Sequence, residues 1–177
     1  TGILSTLKTA YKDVWDIQIT EIKKGNEKDA ATSDFDFYIF EHTMPETMPT
    51  DGIVLLVNPG KGPEDSGFTI VEKDRSFGKQ SESLAQESSH AILKNITADN
   101  ITVSQYMVGE YESSYQVLLS CDTTPVLLLK DDGQKKVVVM SFSLNYSNLP
   151  ILKEFPLLMN NIFKYYFPST ITNNVFE

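Results

Sequence analysis

The chain lacks most of what would name a chemistry outright. It has a single cysteine, Cys121, so no intramolecular disulfide can form. A lone thiol suits the cytosol and equally the outside of a bacterium that does not rely on disulfides. Its two histidines, His42 and His90, lie far apart with no thiolate pair beside them. That excludes a zinc signature. Basic residues are few: 15 Lys and Arg against 24 Asp and Glu leave a net charge of −9. Such a balance repels a phosphate backbone and speaks against nucleic-acid binding. The acidity is scattered and reads as a solvated surface. No apolar run approaches the ~20 residues needed to cross a bilayer. There is no internal repeat and no low-complexity tract.

What is present suits one globular domain. The chain has 177 residues, 41% of them hydrophobic. A domain of this size buries roughly 70% of its unfolded surface and needs no staples. Ile3, Leu4, Leu7 and Tyr11 fall at helical spacing, so the pattern predicts a helix over residues 3–12. Residues 15–22 alternate as a strand, and 23–33 read as a loop. Residues 35–40 and 53–57 are short, nearly continuous apolar runs, the mark of strands buried on both faces. Between them Met44-Pro45 and Met48-Pro49 forbid regular structure, because proline lacks an N–H and restricts its predecessor. Residues 68–71 read as an edge strand, and 74–89 carry no clear pattern. Residues 90–96 suggest one helical turn. Strands are expected over 101–108, 115–121, 126–130 and 137–144, with Asp132-Gly133 as a hairpin turn. From Ile151, the residues Leu152, Phe155, Leu158, Met159, Ile162, Phe163 and Tyr166 form the stripe of a helix packed on a sheet. Pro156 either kinks that helix or starts its main part, and Pro168 ends it. The whole predicts an α/β fold in three layers, with a C-terminal β-hairpin followed by a helix.

Thr1-Gly2-Ile3 reads as neither an initiator nor a signal peptide. Open α/β sheets usually begin with a strand, and the first element here reads as a helix. The domain is therefore expected to span 1–168 of a chain excised from something longer, its first strand lost in the cut. Residues 169–177 read as a linker toward a following domain.

Several runs carry a resemblance. They are Asp34-Phe35-Asp36-Phe37-Tyr38-Ile39-Phe40, the stretch from Met48-Pro49-Thr50-Asp51-Gly52 to Val57-Asn58-Pro59, Pro125-Val126-Leu127-Leu128, and Phe142-Ser143-Leu144 followed by Ser147-Asn148-Leu149-Pro150 and Phe155-Pro156-Leu157-Leu158-Met159. In this order they resemble the class I glutamine-amidotransferase-like domain of bacterial membrane-anchored proteins. In those proteins the domain follows a membrane segment and a von Willebrand factor A domain. The resemblance implies a flavodoxin-like sheet, a parent in the cell membrane and a soluble domain outside the cytoplasm. The implied partners are the parent's neighbouring domains and other proteins. The membrane is reached only through flanking segments. The resemblance implies no activity.

An active amidotransferase needs a cysteine on a sharp strand-to-helix turn, an oxyanion hole, and a histidine oriented by an acid. After the apolar run 53–57 stands Asn58-Pro59-Gly60. There is no thiol, and the proline removes an N–H. Cys121 ends a strand, where alternation places it with Tyr115, Val117 and Leu119. A buried thiol is its plain reading, since reactive thiols need an exposed, electropositive setting. Ligands of open α/β sheets sit outside the carboxyl ends of strands. Glu41, His42, Asn58, Ser143, Asn145 and Ser147 are therefore the candidates for a polar crevice, set against a plainer role in turns and caps. His90 reads as a surface or capping residue. Gly60-x-Gly62 with Gly67 matches no phosphate-loop spacing. Asn95, Asn100 and Asn145 open Asn-x-Ser/Thr triplets, a pattern frequent by chance. Phe163, Tyr165, Tyr166 and Phe167 form either core plus rim or a docking surface for a neighbouring domain. No cofactor or metal is expected. The expectation is a non-catalytic interaction or scaffold module. The alternatives are a degenerate amidotransferase or hydrolase using Glu41 and His42, and a domain that senses a small ligand or glycan.

Overall fold

A computed structural model describes residues 35–133 and 135–167, together with Thr20 and Gly25. The helix expected over 3–12, the strand over 15–22 and the linker at 169–177 lie outside the described residues.

The chain folds as a mixed α/β domain. Seven strands form the main sheet in the order β1-β2-β9-β8-β7-β4-β5. Strands β1 (Phe37–Glu41), β2 (Ile53–Val57) and β9 (Lys136–Met140) run parallel. Strands β8 (Thr124–Asp131), β7 (Tyr115–Cys121), β4 (Glu82–Gln86) and β5 (Thr102–Val103) continue the sheet antiparallel. A separate ribbon pairs β3 (Phe68–Ser76) with β6 (Gln105–Tyr111). Helix α1 (Glu154–Tyr166) follows the β8–β9 hairpin. No described helix is long and apolar enough to cross a membrane.

Each central strand faces two cores. Ile53, Leu55 and Val57 of β2 pack with Phe155, Leu158, Met159 and Ile162 of α1. Val54 and Leu56 point the other way, onto Tyr38, Phe40, Met44, Met48 and Phe68. All five residues of β2 are buried, as a continuous apolar run predicts. Strand β1 differs from expectation. It closes one end of the described sheet order, and only Tyr38 and Phe40 of its five residues are buried.

Other differences have local causes. The expected strand 101–108 is two strands in two sheets, parted at Ser104, whose N–H donates to the Tyr146 carbonyl at 2.8 Å. The 137–144 strand stops at Met140: Ser141 still donates its N–H to Val126 O of β8, but its carbonyl accepts from Met107 N–H of β6 at 2.7 Å. Register shifts against β8 between Val117 and Ser120 break the alternation of β7. Leu118, Leu119, Ser120 and Cys121 are consequently all buried, and Cys121 does not share a face with Tyr115. Pro156 sits in the first turn of α1, where helical N–H groups have no intrahelical partner, so it starts the helix and does not kink it.

Candidate functional site

Parallel strands deliver their carboxyl ends to one edge, and β1 and β2 do so side by side. Each is followed by a non-glycine residue in the left-handed region: His42 at φ 59° and Asn58 at φ 45°. The strand ladder continues through both, because His42 N–H donates to Val57 O (3.0 Å) and Asn58 N–H to Met140 O (2.8 Å). Turning out of the ladder together, the two side chains meet. The Asn58 amide nitrogen lies 2.9 Å from His42 Nδ1. An amide nitrogen only donates, so Nδ1 accepts and the neutral ring carries its proton on Nε2. This opposes what a general base requires, since the orienting group of a catalytic histidine accepts from the ring N–H. The loop behind the pair is closed. Thr43 lies against Gly60, and the Met44 side chain lies over Gly62, so that a Cβ there would displace its terminal methyl.

Of the six candidates, the structure places Glu41, His42 and Asn58 at this edge and joins the last two. The other three serve their own loop. Ser143 Oγ accepts from Asn145 N–H at 3.2 Å and caps the 3-10 turn Leu144–Tyr146. Ser147 Oγ donates to Leu144 O at 3.3 Å, and Ser147 bridges to Val103. Asn145 is exposed. Asn148, at the end of the same candidate loop, stitches it to the start of β5 and the turn before it. Its Oδ1 accepts from Thr102 N–H (2.8 Å), and its Nδ2 donates to Asn100 O (2.9 Å). A serine bonding backbone two or three residues away, as Ser143 and Ser147 do, is ordinary turn chemistry and was available in the sequence; the long-range bonds of Asn148 were not.

The remaining reactive side chains are similarly engaged. Cys121 is 0% exposed. Burial, then the carboxylates of Glu82 and Asp122, push its thiol up to about 11. His90 Nδ1 accepts from Ile92 N–H at 3.2 Å, its ring meets Tyr165 edge-on at 4.8 Å, and burial lowers its pKa. Asn100 Nδ2 donates to the buried Glu154 at 3.0 Å. Among the described residues, no group of three His, Cys, Asp or Glu side chains could hold a metal ion.

Two surface concavities lie away from the strand edge. One of about 350 Å³ is lined by Glu87, Val117, Ser120, Asp122, Thr123 and Pro125. Another of about 300 Å³ is lined by Glu64, Gly67, Thr69, Glu110, Tyr111 and Glu112. Glu112 anchors the second to the interior, because Lys130 of β8, only 5% exposed, donates to it at 2.8 Å. The Lys130 ammonium also sits 5.6 Å from the centre of the Tyr115 ring.

The hydrogen bond from Lys130 and its charge hold the Glu112 carboxyl below its ordinary range. A depressed carboxylate contributes stability that is complete above the unfolded value of about 4.3 and fades as pH falls through the folded value. The expected result is an acid-side loss of stability that flattens in Lys130→Met. At neutral pH, Glu112→Gln is expected to destabilise more than Lys130→Met, because only the former leaves a buried ammonium with no carboxylate nearer than Asp132 at 3.9 Å. Urea midpoints of the three proteins at pH 7 and pH 3 read both effects.

No protein-family model matches the chain, and no curated protein sequence matches it. Solved structures do. The chain is similar to Cytoplasmic Protein STM1381 from Salmonella typhimurium LT2, with a TM-score of 0.66 and 9% identity over 94% of this chain and 87% of that one. It is similar to Cytoplasmic Protein STM3548 from Salmonella typhimurium, with a TM-score of 0.66 and 11% identity over 93% and 86% of the two chains. The mmIFT52 N-terminal domain gives a TM-score of 0.60 and 15% identity over 98% and 93%. At these identities the likeness concerns the fold.

Proposed function

We propose that this domain is a non-catalytic interaction module with a flavodoxin-like, glutamine-amidotransferase-like sheet. Its parent is a membrane-anchored bacterial protein that holds the module outside the cytoplasm, against neighbouring domains or other proteins. The observation that carries the non-catalytic reading is the turn after β2. The amidotransferase nucleophile would stand there, and Asn58-Pro59-Gly60 stands in its place, with Asn58 bonded to the only nearby histidine. The single thiol lies buried in another strand. The parent and its location rest on the sequence resemblance.

A second reading has one observation in its favour. Two adjacent left-handed non-glycine residues at strand ends are the kind of strain that collects at functional sites. That reading is a degenerate hydrolase, or a ligand sensor, using Glu41, His42 and Asn58.

One experiment separates them. The folded protein is treated with a maleimide, with and without denaturant, and read by intact mass. Ammonia release from glutamine is followed in wild type, Cys121→Ala and His42→Ala. The expected result is no labelling until the chain unfolds, and no ammonia above the blank in any protein. Fast native labelling, or ammonia release that either substitution abolishes, overturns the non-catalytic reading. A ligand that binds only the folded state raises the melting temperature. A thermal-shift screen with amino acids and sugars therefore reads the sensor alternative.

A further inference from the structure

We propose that His90 is an acid-sensitive latch on the segment that follows β4. Neutral, it caps the turn Ala91–Leu93 and holds that turn on α1; protonated, it releases the cap, and the turn opens locally.

The chain reaches His90 in extended conformation, at φ −117° and ψ 149°, and there enters the 3-10 turn. The first N–H groups of such a turn have no backbone partner within it. Ile92 N–H is one of them, and His90 Nδ1 accepts it at 3.2 Å. Asn, Asp, Ser and Thr are the usual capping residues, and each keeps its acceptor near neutral pH. An imidazole does not. Once Nδ1 carries a proton, both ring nitrogens donate, and the Ile92 N–H faces a donor in place of an acceptor.

The latch sits on an interface. Ile92 is 0% exposed and Leu93 4%, and both belong to the core cluster that includes Ile162 and Phe163 of α1. Asn161 of α1 donates to Ile92 O at 2.9 Å and to Lys94 O at 2.7 Å. The His90 ring meets Tyr165 of α1 edge-on at 4.8 Å, so a ring that swings off the cap also leaves the helix. The Asn161 bonds and the buried side chains remain, which keeps the opening local.

The surrounding charges leave the ring to its burial. Tyr165 is the titratable side chain that α1 sets against it, and the neighbouring Lys164 is exposed. On its own segment Glu87 and Lys94 flank it in sequence, both exposed. Burial lowers the His90 pKa, and among the described residues no carboxylate pairs with the ring to oppose it. A histidine with a lowered folded pKa holds its contribution in full above the unfolded value of about 6.5, and loses it as pH falls from there toward the folded value. That window lies above the one Glu112 sets near about 4.3, so the two effects separate. The inference is independent of the proposed function, because His90 takes no part in the pair formed by His42 and Asn58.

The test is hydrogen exchange at the Ile92 amide of the purified 177-residue chain at pH 8 and pH 5, corrected for intrinsic exchange. Wild type is expected to lose protection there on the order of fivefold at the lower pH, the worth of one cap. His90→Asn supplies a cap that does not titrate, and its protection is expected to be the same at both pH values. His90→Ala lacks the cap throughout and is expected to be weakly protected at both. His42→Gln is expected to follow wild type, which assigns the effect to His90. Nitrogen chemical shifts are expected to show the neutral His90 ring protonated on Nε2, with a midpoint below about 6.5. Wild-type protection that does not change, a loss that persists in His90→Asn, or a midpoint at or above that of a free imidazole overturns the proposal.

Discussion

Phe155→Ala is expected to lower unfolding free energy by about 4 kcal/mol, through lost burial and the cavity left behind. Phe155 is almost fully buried in the first turn of α1, within the cluster formed by β2, β8, β9 and the helix. Besides packing, the helix start is held by the bond from Asn100 to the buried Glu154. The N-cap Lys153 makes no side-chain cap bond, and Pro156 supplies no donor, so packing and that bond must fix the entry of the chain. The measurement is the urea midpoint at unchanged slope. Ile151→Ala is the control: that side chain is 87% exposed, and its removal is expected to cost no more than about 0.5 kcal/mol.

Gly52→Ala is expected to cost about 3 kcal/mol, the sum of backbone strain and a clash. Gly52 precedes β2 at φ +72°, where a Cβ would lie 2.5 Å from the Phe35 carbonyl oxygen and 2.9 Å from the Tyr38 ring. The neighbours are backbone and a buried aromatic, so neither yields cheaply. Gly133→Ala isolates the conformational part. Its φ is +84° with nothing within 4 Å of the added carbon, and about 1 kcal/mol is expected. Equal losses at the two glycines would show that the Phe35–Gly52 contact carries no weight. The turn also fixes the start of the β1–β2 register, through Ile53 N–H to Asp36 O at 3.0 Å and Tyr38 Oη to Asp51 at 3.2 Å. That register sets His42 beside Asn58 at the opposite end.

How much of this could be read from residues alone varied with how strongly each element marks itself. Strand β2 is a five-residue apolar run and announces burial on both faces. Helix α1 carries a full stripe, and the Asp132-Gly133 turn names its hairpin. Strand β4 was invisible, because Glu82-Ser83-Leu84-Ala85-Gln86 sends only Leu84 inward. The split between β5 and β6 is marked in the sequence only by two successive polar residues, Ser104-Gln105, where the period-two pattern lapses. The face of Cys121 was misjudged because bulges leave no mark in the apolar pattern. At the site, Glu41-His42 and Asn58-Pro59-Gly60 were recognisable as segments following buried strands. Their mutual hydrogen bond was not, since it depends on two left-handed backbones that no residue type there demands. Ser143 and Ser147 were grouped with them by sequence proximity to a strand end, while local turn bonding engages both.

The position of β9 in the sheet order bears on when this chain can become a protein. Strand β9 lies between β2 and β8, and its first residue, Lys136, aligns with Ile53 across most of the described chain. A ribosome releases β1 and β2 long before it releases their third neighbour. Until then β2 has a bare apolar edge, and neither of its faces is covered by α1 or completed by β8. Such long-range parallel pairing is slow, because the closure entropy must be met before any contact offsets it. The parallel half of the sheet therefore waits for the C-terminal hairpin, and a nascent chain halted anywhere before Met140 exposes the segment most prone to pair with a neighbour.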